Sequence, residues 1–214
     1  MRFAKLTTLI ALSALLLLSL SAFADSFTTY AQPTPGGFYV THTTNYGGGD
    51  GSGNFINSLG PFSFSNPQSE NNVPNSWATW GSPPATESST PNILWNEGFN
   101  TLTITFAPEQ IMGFELEPDN FAVEEVTAKF FDGANLVGTI DLFPNGQNGA
   151  LLFAAQTDGQ FTSVVITDLA GGDFAIAQLR SGNPPSSTPE PGTMVLLGTG
   201  LLGGLAVMRR KMNL

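Results

Sequence analysis

Thr101-Leu102-Thr103-Ile104-Thr105-Phe106 alternates without a break, with Leu102, Ile104 and Phe106 on one side and three threonines on the other. A period of two is what a strand shows when one face is buried and the other is wet. The pattern repeats downstream. Met112, Phe114 and Leu116 alternate with Gly113, Glu115 and Glu117, and Val126, Ala128 and Phe130 lead into Asp132-Gly133-Ala134-Asn135 and then Leu136 to Leu142, which reads as a hairpin. After Pro144-Asn145-Gly146 come the runs Ala150 to Ala155, Phe161 to Thr167 and Phe174 to Leu179, parted by Asp158-Gly159 and Gly171-Gly172-Asp173. No long segment of period 3.6 interrupts them. Short strands at this spacing predict an all-β fold, an antiparallel β-sandwich.

Upstream the composition changes. From Ala31 to Asn100, Gly, Pro, Asn and Ser make up 37 of 70 residues, against 18 of 82 from Thr101 to Gly182. The first part is therefore expected to be loops, with Gly37 to Thr43 and Ile93 to Trp95 as its additional strands. Trp77, Trp80, Trp95 and Tyr46 all lie there. Such rings either stack on sugar faces or pack loops over the sandwich. Gly47-Gly48-Gly49-Asp50-Gly51-Ser52-Gly53-Asn54 lacks the Gly-Lys-Ser/Thr of a phosphate loop. Counted as an EF-hand from Asp50, it has Phe55 at the sixth position and Pro61 at the twelfth, where glycine and glutamate belong. It reads as a surface loop.

The chain of 214 residues has no Cys and one His. That removes disulfides, thiolate metal sites and cysteine nucleophiles. His42 sits among Thr41, Thr43 and Thr44, and no Gly-x-Ser-x-Gly elbow accompanies it, so a serine triad is not expected. Between Asp25 and Thr188 there are 16 acids and two bases, Lys129 and Arg180. This charge repels nucleic acid and anionic membrane surfaces. It suits cations, and Glu117, Asp119, Asp168 and Asp173 fall at expected strand ends and turns where calcium ligands converge. A glycosidase with two carboxylates stands as the enzymatic alternative, although no pair is singled out.

Both ends read as addresses. Residues 1–24 hold a basic start (Arg2, Lys5), an apolar run densest from Leu9 to Leu20, and Ala22-Phe23-Ala24, the pattern of a secretory signal peptide cleaved between Ala24 and Asp25 by signal peptidase. The exported domain is placed at 25–183 and is long enough to bury roughly 70% of its unfolded surface in one core. A stiff linker, 184–188, follows. Then come Pro189-Glu190-Pro191, an apolar stretch at 193–208 and the cluster Arg209-Arg210-Lys211. As a single transmembrane helix that stretch reaches about 24 Å, short of the roughly 30 Å hydrocarbon core, which suits a transient anchor. The basic cluster places the C-terminus in the cytoplasm.

Pro-Glu-Pro, a short Leu/Gly-rich span and a terminal Arg/Lys cluster, at 189–213 and behind a signal peptide, resemble the PEP-CTERM sorting signal, whose tail is also labelled an ice-binding protein C-terminal domain. The resemblance implies an exosortase that cuts near Pro189, Glu190 and Pro191. It also implies transient residence in the inner membrane of a Gram-negative bacterium and release to the cell surface or the exopolysaccharide matrix. The strand order is similar to the jelly-roll domains found upstream of such tails, which resemble carbohydrate-binding modules. Their last strand commonly continues Phe-Ala-Ile with Asp-Asn or Asp-Asp, whereas here Phe174-Ala175-Ile176 is followed by Ala177-Gln178. The expected function is a non-enzymatic structural or glycan-binding sandwich, with exopolysaccharide as partner. A secreted hydrolase and a protein-binding adhesin are the alternatives. Intact mass of the protein recovered from its host is expected to end near Pro189; a mature form that keeps Arg209 and Arg210 overturns exosortase processing.

Overall fold

The computed structural model describes residues 25–33 and 38–185. The signal peptide, the sorting motif, the span 193–208 and the basic cluster lie outside the described residues. Among the described residues no helix is long and apolar enough to cross a membrane.

The strands are β1 (Phe27–Tyr30), β2 (Thr44–Gly47), β3 (Phe55–Leu59), β4 (Phe62–Asn72), β5 (Asn92–Trp95), β6 (Thr101–Pro118), β7 (Val126–Asp132), β8 (Asn135–Leu142), β9 (Leu151–Asp168) and β10 (Phe174–Gly182). One short helix, α1 (Phe38–Thr41), lies where a strand over Gly37 to Thr43 was expected. The all-β class holds. The two pairs of runs around residues 107–110 and 156–160, however, are each one strand of 18 residues, β6 and β9. They pair antiparallel from Thr101↔Thr167 to Leu116↔Leu151, with register shifts on either side of Glu109. Those irregularities bend the ribbon, as bulges do. The ten strands thus form one sheet folded over itself, in the order β2-β10-β5-β4-β6-β9-β7-β8 with β10 also paired to β6.

The bend produces two layers. In the first, the halves Thr101–Thr105 of β6 and Ser163–Asp168 of β9 are flanked by β4 on one side and by the β7–β8 hairpin on the other. In the second, Ile111–Pro118 of β6 and the start of β9 are flanked by β10 with β2 and β5, and by β1. Leu102, Ile104, Phe106, Met112, Phe114 and Leu116 keep one phase through the bend, so all six enter the same core with Phe130, Phe153, Phe161, Val164, Ile166 and Phe174. Phe114 and Phe153 stack with centroids 5.5 Å apart.

The outer face of the second layer is also covered. Its side chains are small (Ala154, Ala175, Ala177), and they accept the large rings of Trp77, Trp80 and Tyr39 from the segments that cross it. This is why β6 is buried on both faces from Ile111 to Pro118. Two carboxylates pin the cover. Glu115 accepts from Trp80 Nε1 at 3.0 Å and from the Glu87 amide at 2.5 Å. Glu87 in turn receives both Arg180 Nε (2.5 Å) and Nη2 (2.6 Å), a bidentate pair. The glycine-rich loop is explained as well. It wraps the buried Glu70, whose Oε1 receives the Asp50 amide at 3.1 Å, and at Gly49 (φ 82°) a Cβ would collide with that carboxylate.

Burial pushes the Glu115 carboxyl up from 4.5 to about 7, against the hydrogen bonds from Trp80 and Glu87. The folded chain therefore holds a proton that the unfolded chain releases between these values, and stability falls as pH rises through that window. Melts of the protein are expected to show a lower Tm at pH 8 than at pH 5. Glu115→Gln should remove part of that fall. It should also cost about 1–3 kcal/mol at pH 5, because its amide nitrogen must face one of two donors. A pH-independent wild-type Tm refutes the assignment. Gly49→Ala is expected to destabilise by about 1–3 kcal/mol, measured by urea unfolding, through the strained φ and the collision with Glu70.

Candidate functional site

Of the rings read either as sugar-stacking or as packing loops over the sandwich, the tryptophans of the cover pack. Trp80 is 1% exposed and Trp77 8%, both in the covering cluster. Trp95 is half-buried with its ring 6.0 Å from that of Trp77, and Tyr46 is half-buried edge-on to Phe62 at 5.2 Å. Trp77, Trp80 and Trp95 pack on the small residues of the second layer, and Tyr46 packs on the main core. His42 shares a 2.8 Å hydrogen bond with Thr41 Oγ1.

Exposed rings occur on β3 (Phe55, 61%), between β5 and β6 (Phe99, 47%), and, as a pair, in the loops at one end of the sandwich. Phe121 is 76% exposed and Phe143 59%, with Val123 and Leu169 exposed beside them in the chain's fold. The backbone laces their loops together. Val123 forms a bridge with Asn145, Glu124 N–H donates to Pro144 O, Gly146 N–H to Ala122 O, and Leu169 N–H to Glu125 O. Aromatic residues next to Pro-Asp-Asn and Pro-Asn-Gly turns were the signal in the sequence, since such turns place a side chain outside the core.

Next to this end, on the wet outer face of the first layer, lies a groove of about 400 Å³ lined by Glu125, Thr127, Lys129, Thr139, Asp141, Thr167 and Leu169. The registers Thr127↔Asp141, Lys129↔Thr139 and Thr127↔Thr167 set these side chains in rows across β8, β7 and β9. Thr127 Oγ1 donates to Asp141 Oδ1 at 2.8 Å. The groove offers hydroxyls, carboxylates and an ammonium in one shallow surface.

The expected calcium ligands do not converge on one point. Glu117 faces the covered side of the second layer, where it accepts from Thr79 Oγ1 at 2.6 Å, and burial raises its pKa. Asp119 lies near Asp173: its amide donates to Asp173 O at 2.9 Å, and burial, then the Asp173 and Glu97 charges, raise its pKa. Asp168 is fully buried and meets a residue the sequence reading missed, Glu124, which is also buried. Burial, then the neighbouring Glu124 carboxyl, push Asp168 up to about 7. Asn120 Nδ2 donates to Glu124 Oε1. Among the described residues no group of three His, Asp or Glu side chains is placed to hold a metal.

Residues 187–211 match the PEP-CTERM protein-sorting motif. This motif implies exosortase processing, with export and a membrane-anchored sorting step before surface release. No curated protein matches the chain. Among solved structures it is similar to a point mutant of the family 29 carbohydrate-binding module CBM29-2, at 11% identity over 78% of this chain and 99% of that one, with a TM-score of 0.30. It is also similar to CBM29_1 from Piromyces equi, at 8% identity over 78% and 98% of the two chains, with a TM-score of 0.30. A third is the enzymatically active domain of tailspike protein 4 of bacteriophage CBA120, at 16% identity over 67% of this chain and 19% of that one, with a TM-score of 0.28.

Proposed function

We propose that the protein is an exported, exosortase-sorted component of the cell surface or exopolysaccharide matrix. Its sandwich binds glycan without cleaving it, at the groove over β7, β8 and β9 and the exposed phenylalanines beside it. The observation that carries the sorting is the tail motif at 187–211. The glycan reading rests on the surface at the loop end. Sugars present rings of C–H edged with hydroxyls, and this end pairs exposed Phe121 and Phe143 with Thr127, Thr139, Thr167, Lys129, Glu125 and Asp141. The hydrolase alternative draws less support. Glycosidase carboxylates stand about 5 to 10 Å apart across a cleft, whereas Glu124 and Asp168, the neighbouring carboxyl pair at the loop end, are both buried.

All strands and the core among the described residues lie between Phe27 and Gly182, so residues 25–183 serve as the test protein. Calorimetry against the host's own exopolysaccharide is expected to show saturable binding, with no reducing ends released. Phe121→Ala and Phe143→Ala should each weaken binding several-fold, about 1 kcal/mol, at unchanged Tm. Release of reducing ends overturns the non-enzymatic reading, and absence of binding overturns the glycan reading.

A further inference from the structure

We propose that Glu124 and Asp168 hold a calcium ion in the space beside Gly172, clamping the loop 119–125 to the end of β9. The inference is independent of the glycan reading.

Two carboxyl groups from distant parts of the chain are brought together here, both buried: Asp168 is 0% exposed and Glu124 9%. Each uses one oxygen. Asp168 Oδ1 receives the Ala170 amide at 2.8 Å, and Glu124 Oε1 receives Asn120 Nδ2. The other two oxygens, Asp168 Oδ2 and Glu124 Oε2, are buried without a hydrogen-bond partner. They converge. A Cβ built on Gly172 would lie 3.3 Å from each, with Asn120 Nδ2 at 3.7 Å. That point, left open because residue 172 is glycine, is flanked by both unpartnered oxygens.

Two buried carboxylates in contact repel, and either a cation or a shared proton relieves them. The surroundings favour the cation. Asp119 and Asp173 stand at the same end of the sandwich, and from Asp25 to Thr188 the only bases are Lys129 and Arg180, of which Arg180 is held by Glu87. A shared proton would leave the rest of this negative field unopposed, whereas a divalent ion also lowers it. Carboxylate oxygens are hard donors of the kind calcium takes, and water completes its six to eight ligands. Two carboxylates balance its charge.

The test uses the full chain, purified in mild detergent and stripped with EDTA, and requires no glycan. Titration with calcium chloride is expected to give saturable binding of one ion and to raise Tm by several degrees. Asp168→Asn, which keeps the shape, and Gly172→Ala, which places a methyl at the proposed site without changing charge, should each weaken calcium binding at least tenfold. Calcium should also slow proteolysis within 119–125. Three results overturn the proposal. One is the absence of any calcium-dependent heat or Tm shift. Another is binding that neither variant weakens, which puts the ion elsewhere. The last is a wild-type Tm that responds to pH and not to calcium, with the pH response lost in Asp168→Asn, which assigns the pair a shared proton.

Discussion

β6 and β9 run side by side for almost all of their 18 residues, and this one pairing serves both layers of the sandwich. A separate sheet for each layer would let the layers choose their registers independently. Here the ribbon crosses from one to the other: β6 keeps its even-numbered side chains in the core throughout, whereas β9 changes from Val164 and Ile166 to Phe161, Ala155 and Phe153, as the one-residue change of register around Glu109 requires. The bend around Glu109 is the weak point of the ladder and also what makes a closed core available. Because hydrophobic stabilisation scales with area removed from water, folding the ribbon lets six alternate residues of β6 share one core.

The same constraint explains the rings. Alternation on β6 sends Ile111, Gly113, Glu115 and Glu117 to the side away from the core. In the first layer the corresponding side is threonine and faces water. In the second it carries Ile111, Gly113 and two acids, and the chain covers it with Trp77, Trp80 and Tyr39, of which Trp80 donates its Nε1–H to the buried Glu115. The carboxylates are thus sorted by environment. Some anchor the cover, some line the open groove, and one pair is sealed at the loop end.

Period two was legible wherever one face is wet and one is dry, as at Thr101 to Phe106, and Asp-Gly-Ala-Asn marked the β7–β8 turn correctly. Ala107-Pro108-Glu109-Gln110 and Asp158-Gly159 carry ordinary break signals, yet the chain runs through both as strand, because pairing on either side outweighs local propensity. Within the segment 37–43, which reads as a strand, Phe38–Thr41 form a single helical turn whose Tyr39 packs on the outer face. Glu124 was missed because nothing near it in sequence announces a partner. Asp168 becomes its neighbour only through the register Val126↔Asp168. The departure at Ala177-Gln178 has a local meaning: Gln178 adopts a positive φ of 52°, and the ladder shifts register there.

β10 is the last strand among the described residues, and it touches β2, β5 and β6. A polypeptide that emerges from its N-terminus offers β4 through β9 before the piece that joins their second layer exists. Until Gly182 is free, the apolar edges of Leu94 and Leu116 have no cover. The second layer is therefore closed only when β10 joins it, after every other strand described here has been made.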